Sequence, residues 1–290
     1  MCMFLKKIKF IFILIIFYQN PIYSKSTSFE NFDNKNFSKY FSGIVAFENK
    51  NNSKALDFFN SSKFLLNKHE PYFQKYLSTL ILENKVSQAI NVVKQKKNKT
   101  DFFDAYLLLI IDSLKKDNID KANNYLTESF NLENKNNFEL AILENLKQYI
   151  FLFKEKKISE EKKEFGKLSL ISETFQRCYL GDVKTDEYFL NLINNKESNF
   201  TRYIHFYLGY LIENNRIEDA KKITKDIEYI DSTLLLSQTK SFIENNNETK
   251  ILSFFSCKNH NDLIGEFLFL ISNLYSSQDN FEKSNFYLNL

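Results

Sequence analysis

From Phe37 onward, apolar residues return every three or four positions with polar residues between them. Phe37, Tyr40, Phe41, Ile44 and Phe47 follow the i, i+3, i+4, i+7 spacing of an amphipathic helix. The stripe breaks at "ENKNNS" (48–53) and resumes with Ala55, Leu56, Phe59 and Phe64. Ser53 stands where a helix N-cap would accept orphan amides. The passage "FENKNNSKALDFF" (47–59) returns as "LENKVSQAINVV" (82–93), "LKKDNIDKANNYL" (114–126), "IENNRIEDAKKI" (212–223) and "YSSQDNFEKSNFYL" (275–288). Each copy lies between two helical stripes, so each marks a point where one helix reverses into the next. The pattern predicts helix pairs at 37–49 with 53–66, 70–83 with 86–96, 101–116 with 119–131, and 138–155 with 158–167. A looser fit gives 169–180 with 183–194. The series then resumes with 198–214 and 217–229, 232–245 and 248–257, and 261–278 and 280–290.

A small residue recurs early in the second helix of five of these pairs. Ala55, Ala89 and Ala122 stand 34 and 33 residues apart, with Ala220 and Ser284 at the equivalent place later. "GIVA" supplies Gly43 and Ala46 ahead of Ala55 and Phe59, "LGYL" supplies Gly209 ahead of Ala220, and Pro71 in "HEPYF" falls between two units. Period and pattern resemble the tetratricopeptide repeat, a 34-residue helix–turn–helix unit. The chain departs from that pattern in lacking Trp and in the charged stretch "KISEEKKEF" (157–165). It is similar to the secreted tetratricopeptide-repeat proteins of alphaproteobacteria, a resemblance that implies an export-directed helical scaffold without assigned chemistry. The expected fold is all-α, an α-solenoid of about seven to eight such repeats covering 37–290, because a lone hairpin cannot bury its own stripe.

Composition sharpens this picture. Only 5 Gly and 2 Pro in 290 residues argue for long helices joined by short polar turns rather than for sheets. A net charge of +3 gives no reason to expect a nucleic-acid partner. At the start, Lys6, Lys7 and Lys9 precede the apolar run "FIFILIIFY" (10–18), then Pro21 and the small residue Ser24. That is the order of a secretory signal peptide over 1–24, followed by a linker at 25–36. The expected location is therefore the periplasm or cell envelope, with membrane contact only through this segment. Cys2 precedes the apolar run, where no lipoprotein cysteine would stand. Cys178 and Cys257, both in apolar surroundings, read most simply as two separate buried thiols, with a disulfide between them left open.

No catalytic constellation is visible. The chain lacks a Gly-rich phosphate loop, CxxC, HExxH and GxSxG, and His69, His205 and His260 fall in different units, so neither metal nor cofactor is expected. The basic run "KQKKNK" (94–99) reads as a solvated helix end, where lysine meets the helix dipole favourably. "KEKKISEEKKEF" (154–165) reads as exposed helix with i, i+4 pairs. In the repeat type it resembles, the first helices line the concave face. This places Phe37, Tyr40, Ile44 and Phe47 of the first unit in a partner-binding groove, with Gln74, Ser78 and Ile81 of the second. Arg202, His205 and Ile212 join them from the "LGYL" unit, and Phe269 and Asn273 from the last. The same aromatics could instead serve packing within a repeat.

The expected function is a non-enzymatic, exported helical scaffold that binds a protein or peptide through this groove. A peptidoglycan-associated or envelope-assembly protein is the alternative. A helical-toroid enzyme of lytic transglycosylase type would need a separate catalytic domain. Finally, Phe286, Tyr287, Leu288 and Leu290 crowd the last helix. They predict an exposed apolar end, an incomplete last repeat and self-association through it.

Overall fold

A computed structural model of the chain describes residues 34–97, 99–194, 202–226 and 233–290. The expected signal segment and all but the last three residues of the expected linker lie outside these. Among the described residues there are fifteen α-helices and no strand. They are α1 (Asn34–Glu48), α2 (Asn52–Asn60), α3 (Glu70–Leu82), α4 (Val86–Gln95), α5 (Phe103–Lys115) and α6 (Ile119–Phe130). Next come α7 (Asn137–Glu155), α8 (Lys167–Leu180), α9 (Thr185–Ile193), α10 (Arg202–Glu213) and α11 (Ile217–Asp226). The series closes with α12 (Leu234–Glu244), α13 (Thr249–Leu252), α14 (His260–Ser276) and α15 (Phe281–Leu288). The chain is all-α. No described helix is long and apolar enough to cross a membrane.

The repeated passage has one physical form. In each copy, one residue adopts a left-handed backbone: Lys50, Asn84, Asp117, Asn215 or Asp279. The next residue's N–H then reaches back five positions to a helix carbonyl. Examples are Asn51 to Ala46 (2.9 Å), Asn118 to Ser113 (2.9 Å) and Asn280 to Tyr275 (3.0 Å). This bond closes the C-terminal cap known as the Schellman motif and satisfies an orphan carbonyl. The residue that closes one helix can also start the next. Asn51, Asn118 and Asn280 accept, through Oδ1, the backbone N–H three residues on, each at 3.1 Å. Thus Asn51, not Ser53, caps α2. Asn246 makes the same turn between α12 and α13, and Gly181 does so between α8 and α9.

Behind each turn the small position is closed. Ala55, Ala89, Ala122 and Ala220 are fully buried and Ser284 nearly so. Gly43 lies so near α2 that an added Cβ would fall 2.7 Å from the Phe59 ring. Most helices pack on their chain neighbours.

Several expected helices are shorter. The one expected at 53–66 stops at Asn60 and is followed by a 3-10 turn at Lys63–Leu65, while the one at 248–257 is reduced to α13. The stretch 156–166, expected as exposed helix, is irregular. It offers only Ile158 and Phe165 as apolar anchors, too few to bury a helix face. Its lysines reach out instead: Lys162 pairs with Glu173 of α8, and Lys163 with Glu144 of α7 at 3.0 Å. The basic run is also less free than expected. Lys94 pairs with Asp112 of α5 at 2.7 Å, and Lys96 with Glu70 at 3.0 Å.

Two features reach across the sequence. The cysteines expected as separate thiols are joined: Cys178 of α8 and Cys257, just before α14, form a disulfide with Cα atoms 5.6 Å apart. And the last hairpin folds back onto earlier helices, α15 packing on α3 and α14 on α8.

Candidate functional site

The chain's own α14–α15 hairpin packs on α3 and reaches α5. Helix α5 shows this most clearly, because every residue from Phe103 to Leu114 is buried. An amphipathic helix hides one stripe; one buried all round has neighbours on every side. Here α4 and α6 flank it, and the last hairpin and the residues just after it bond to both of its ends. Lys283 of α15 donates to Asp104 Oδ2 at 2.5 Å, His260 Nε2 lies 3.1 Å from the Leu114 carbonyl, and Lys115 Nζ donates to the Leu290 carbonyl at 2.8 Å. Asn289 Nδ2 donates to the Ile81 carbonyl of α3 at 3.1 Å. On α7, Phe138 meets Tyr275 edge-on at 4.9 Å between ring centroids, and Tyr149 meets Phe267 at 5.7 Å. The expected exposed apolar end is therefore absent: Phe286, Tyr287 and Leu290 are buried, and only Leu288 is left to solvent. Helix spacing alone suggested crowding on one face, but α15 is wrapped on several sides, so more than one face is buried.

The predicted groove residues divide accordingly. Tyr40 and Phe47 are buried in packing between neighbouring helices. Tyr40 bonds His69 Nε2 at 3.1 Å, and the Lys75 ammonium lies 4.2 Å from the Phe47 ring centre. Phe37 and Ile44 are half-buried against the same core. Gln74 and Ser78 are half-buried on α3, and Ile81 is buried under Asn289. Ile212 is buried in α10, and Asn273 is exposed on α14.

Arg202, His205 and Phe269, from two separate units, come together. They line an open cleft of about 390 Å³ with Phe206 of α10, Leu235 of α12, Phe254 and Phe255 beyond α13, and Asp262 and Glu266 of α14. Arg202 grips Glu266 with two parallel bonds, Nε to Oε1 at 3.0 Å and Nη2 to Oε2 at 2.6 Å. Its guanidinium carbon lies 4.3 Å from the Phe269 ring centre and 5.1 Å from that of Phe206. A planar guanidinium suits both partners at once. Burial pushes the Glu266 carboxyl up from its ordinary value, opposed by the bonds from Arg202. His205 Nδ1 lies 2.8 Å from Thr239 Oγ1, whose hydroxyl donates to the Leu235 carbonyl at 2.7 Å. With that proton committed, Thr239 accepts from Nδ1–H. Burial, and then the nearby Arg202 charge, hold the imidazole pKa down to about 4, so it is neutral at pH 7.

Both Glu266 oxygens are bound by Arg202. Asp262 is occupied by the Ser256 amide at 2.9 Å and Asn259 Nδ2 at 3.1 Å. Phe254, 67% exposed, and half-buried Phe269 give the cleft apolar walls around one fixed ion pair. No group of three His, Cys, Asp or Glu able to hold a metal occurs among the described residues.

Sequence reasoning missed Glu266, Thr239 and Phe254. Glu266 carried a signal: a lone carboxylate in the apolar run "LIGEFLFLI" implies a buried partner. Thr239 and Phe254 carried none. The chain matches no family model, no curated protein and no solved structure.

Proposed function

We propose that this chain is a non-catalytic, exported scaffold of tetratricopeptide-like repeats arranged as a solenoid, and that it binds a protein or peptide partner at the Arg202–Phe269 cleft. The observation that carries this reading is the convergence of Arg202, His205 and Phe269. They were expected at groove positions of separate repeats, and they meet where the last hairpin leaves a cleft open. Apolar walls with a few fixed polar groups suit a peptide or helix ligand. Export is supported by the charged and apolar order of residues 6–24 and by the disulfide, since such bonds persist in oxidising compartments.

A photo-crosslinking amino acid tests the cleft directly. p-Benzoyl-phenylalanine placed at Phe254 should give a discrete protein adduct in envelope extract. The same probe at Val183, 95% exposed and outside the cleft, should give none of that adduct. Identical adduct patterns at both positions, or none at 254, would remove the support for a binding cleft.

A further inference from the structure

The C-terminal hairpin is connected to the rest of the chain by an irregular segment, 253–259, and that segment contains Cys257. The disulfide therefore pins the one hinge about which α14–α15 could swing, fixing it to α8. The hairpin itself cannot simply lift away. Its departure would bare the inner side of α5 and leave the Asp104 carboxylate, 2% exposed, without Lys283. An open monomer is disfavoured by both the apolar surface and the orphaned charge. A second copy of the chain can remake every one of these contacts in trans, because the exchanged element is identical.

We infer that the inner face over α3 and α5 is a docking surface for the α14–α15 hairpin of a second copy, and that the Cys178–Cys257 disulfide keeps the exchange closed. The chemistry of opening requires a dithiol reductant. One of its thiolates attacks a sulfur of the pair and breaks the S–S bond, giving a mixed disulfide. Its second thiol then closes the reductant's own disulfide. Two electrons pass to Cys178 and Cys257, which leave as thiols after taking up protons. Both sulfurs are buried, so attack follows local opening of the hinge, where Ser253, Phe254, Lys258 and Asn259 are exposed. In an oxidising compartment the chain is a closed monomer. Once reduced and concentrated, it forms an exchanged dimer. The exchanged hairpin also carries Asp262, Glu266 and Phe269, so exchange rebuilds the Arg202–Phe269 cleft between two chains, while its test uses no cleft partner.

Zero-length carbodiimide cross-linking of an equal mixture of unlabelled and 15N-labelled chains reads the exchange. The pairs to follow are Lys50–Glu282 and Lys283–Asp104. Oxidised protein should give only same-isotope cross-linked peptides and the mass of a monomer by light scattering. The variant C178S/C257S, refolded from the mixture at high concentration, should give a dimer in which about half of these cross-linked peptides are mixed-isotope. Wild-type protein refolded under dithiothreitol should match it. A variant that stays monomeric overturns the inference, as does a dimer whose cross-links at these pairs are all same-isotope. Loss of the whole helical fold on reduction also overturns it, since the disulfide would then hold the entire structure rather than the hinge.

Discussion

Replacing Lys283 by Met removes the cation paired with Asp104 while keeping an unbranched apolar stem in place. The Asp104 side chain is 2% exposed and that of Lys283 29%, with Nζ and Oδ2 2.5 Å apart. The other carboxylate oxygen, Oδ1, has no hydrogen-bond partner among the described residues. Breaking a buried pair from one side costs about 3–5 kcal/mol, because the remaining charge is left desolvated. Lys283 is partly wet, which puts Lys283→Met near the lower end, about 3 kcal/mol. The contrast is Lys50→Met. Its partner Glu282 sits on the same helix, but the side chains are 68% and 33% exposed, and such a pair is worth about 1 kcal/mol at most. Urea denaturation followed by circular dichroism measures both. A slope of about 2–3 kcal/mol per molar urea turns the first loss into a midpoint shift of about 1 M or more. Changing Asp104 to Leu as well should recover much of the loss. Equal, small shifts for Lys283→Met and Lys50→Met would refute the burial of Asp104 beneath the hairpin.

Three further outcomes follow from the same geometry. His205 has a folded pKa near 4 against an unfolded value of about 6.5, so the unfolded chain binds the extra proton between these values. Stability should be full above about pH 6.5 and fall by up to about 1.4 kcal/mol per pH unit towards pH 4. His205→Asn, which keeps a donor towards Thr239, should flatten that slope in denaturation midpoints measured across the range. Ala89→Leu should overpack a fully buried contact and cost about 1–3 kcal/mol in the same urea assay; an unchanged midpoint would show that this position is not closed. Asp279→Gly, at a left-handed turn residue (φ 57°), should raise thermal stability by up to about 1 kcal/mol, and a loss would contradict the turn geometry.

How much was legible in the sequence depended on range. The turns were readable because a Schellman cap is decided within six residues. The recurring Asn, Asp and Lys at 50, 84, 117, 215 and 279 mark the left-handed positions that glycine usually takes. The closed positions at Ala55, Ala89, Ala122 and Ala220 were readable for the same reason. The failure at 157–165 is also local, since charge without an apolar stripe argued against a helix there and period alone argued for one. The return of the last hairpin onto α3 was not readable. Whether α15 meets α3 depends on small rotations added over many helices, and no residue near Phe286 states that sum. The Cys178–Cys257 bond shares this limit, because its partners are 79 residues apart. At the cleft, Arg202, His205 and Phe269 were expected at groove positions of separate units, and they line one cleft. Thr239 was missed because its role depends on how α10 and α12 are set against each other.

The central claim is that the chain's own last hairpin packs against α3 and α5, and cross-linking of the native oxidised protein tests this most directly. Treatment with a carbodiimide followed by mass spectrometry should join Lys283 to Asp104 and Lys50 to Glu282, pairs separated by 179 and 232 residues. Lys94 to Asp112, 2.7 Å apart and 18 residues away in the chain, serves as the internal standard. The account predicts both long-range links within a single chain. Recovery of the Lys94–Asp112 link with neither long-range link would contradict it, placing the hairpin elsewhere.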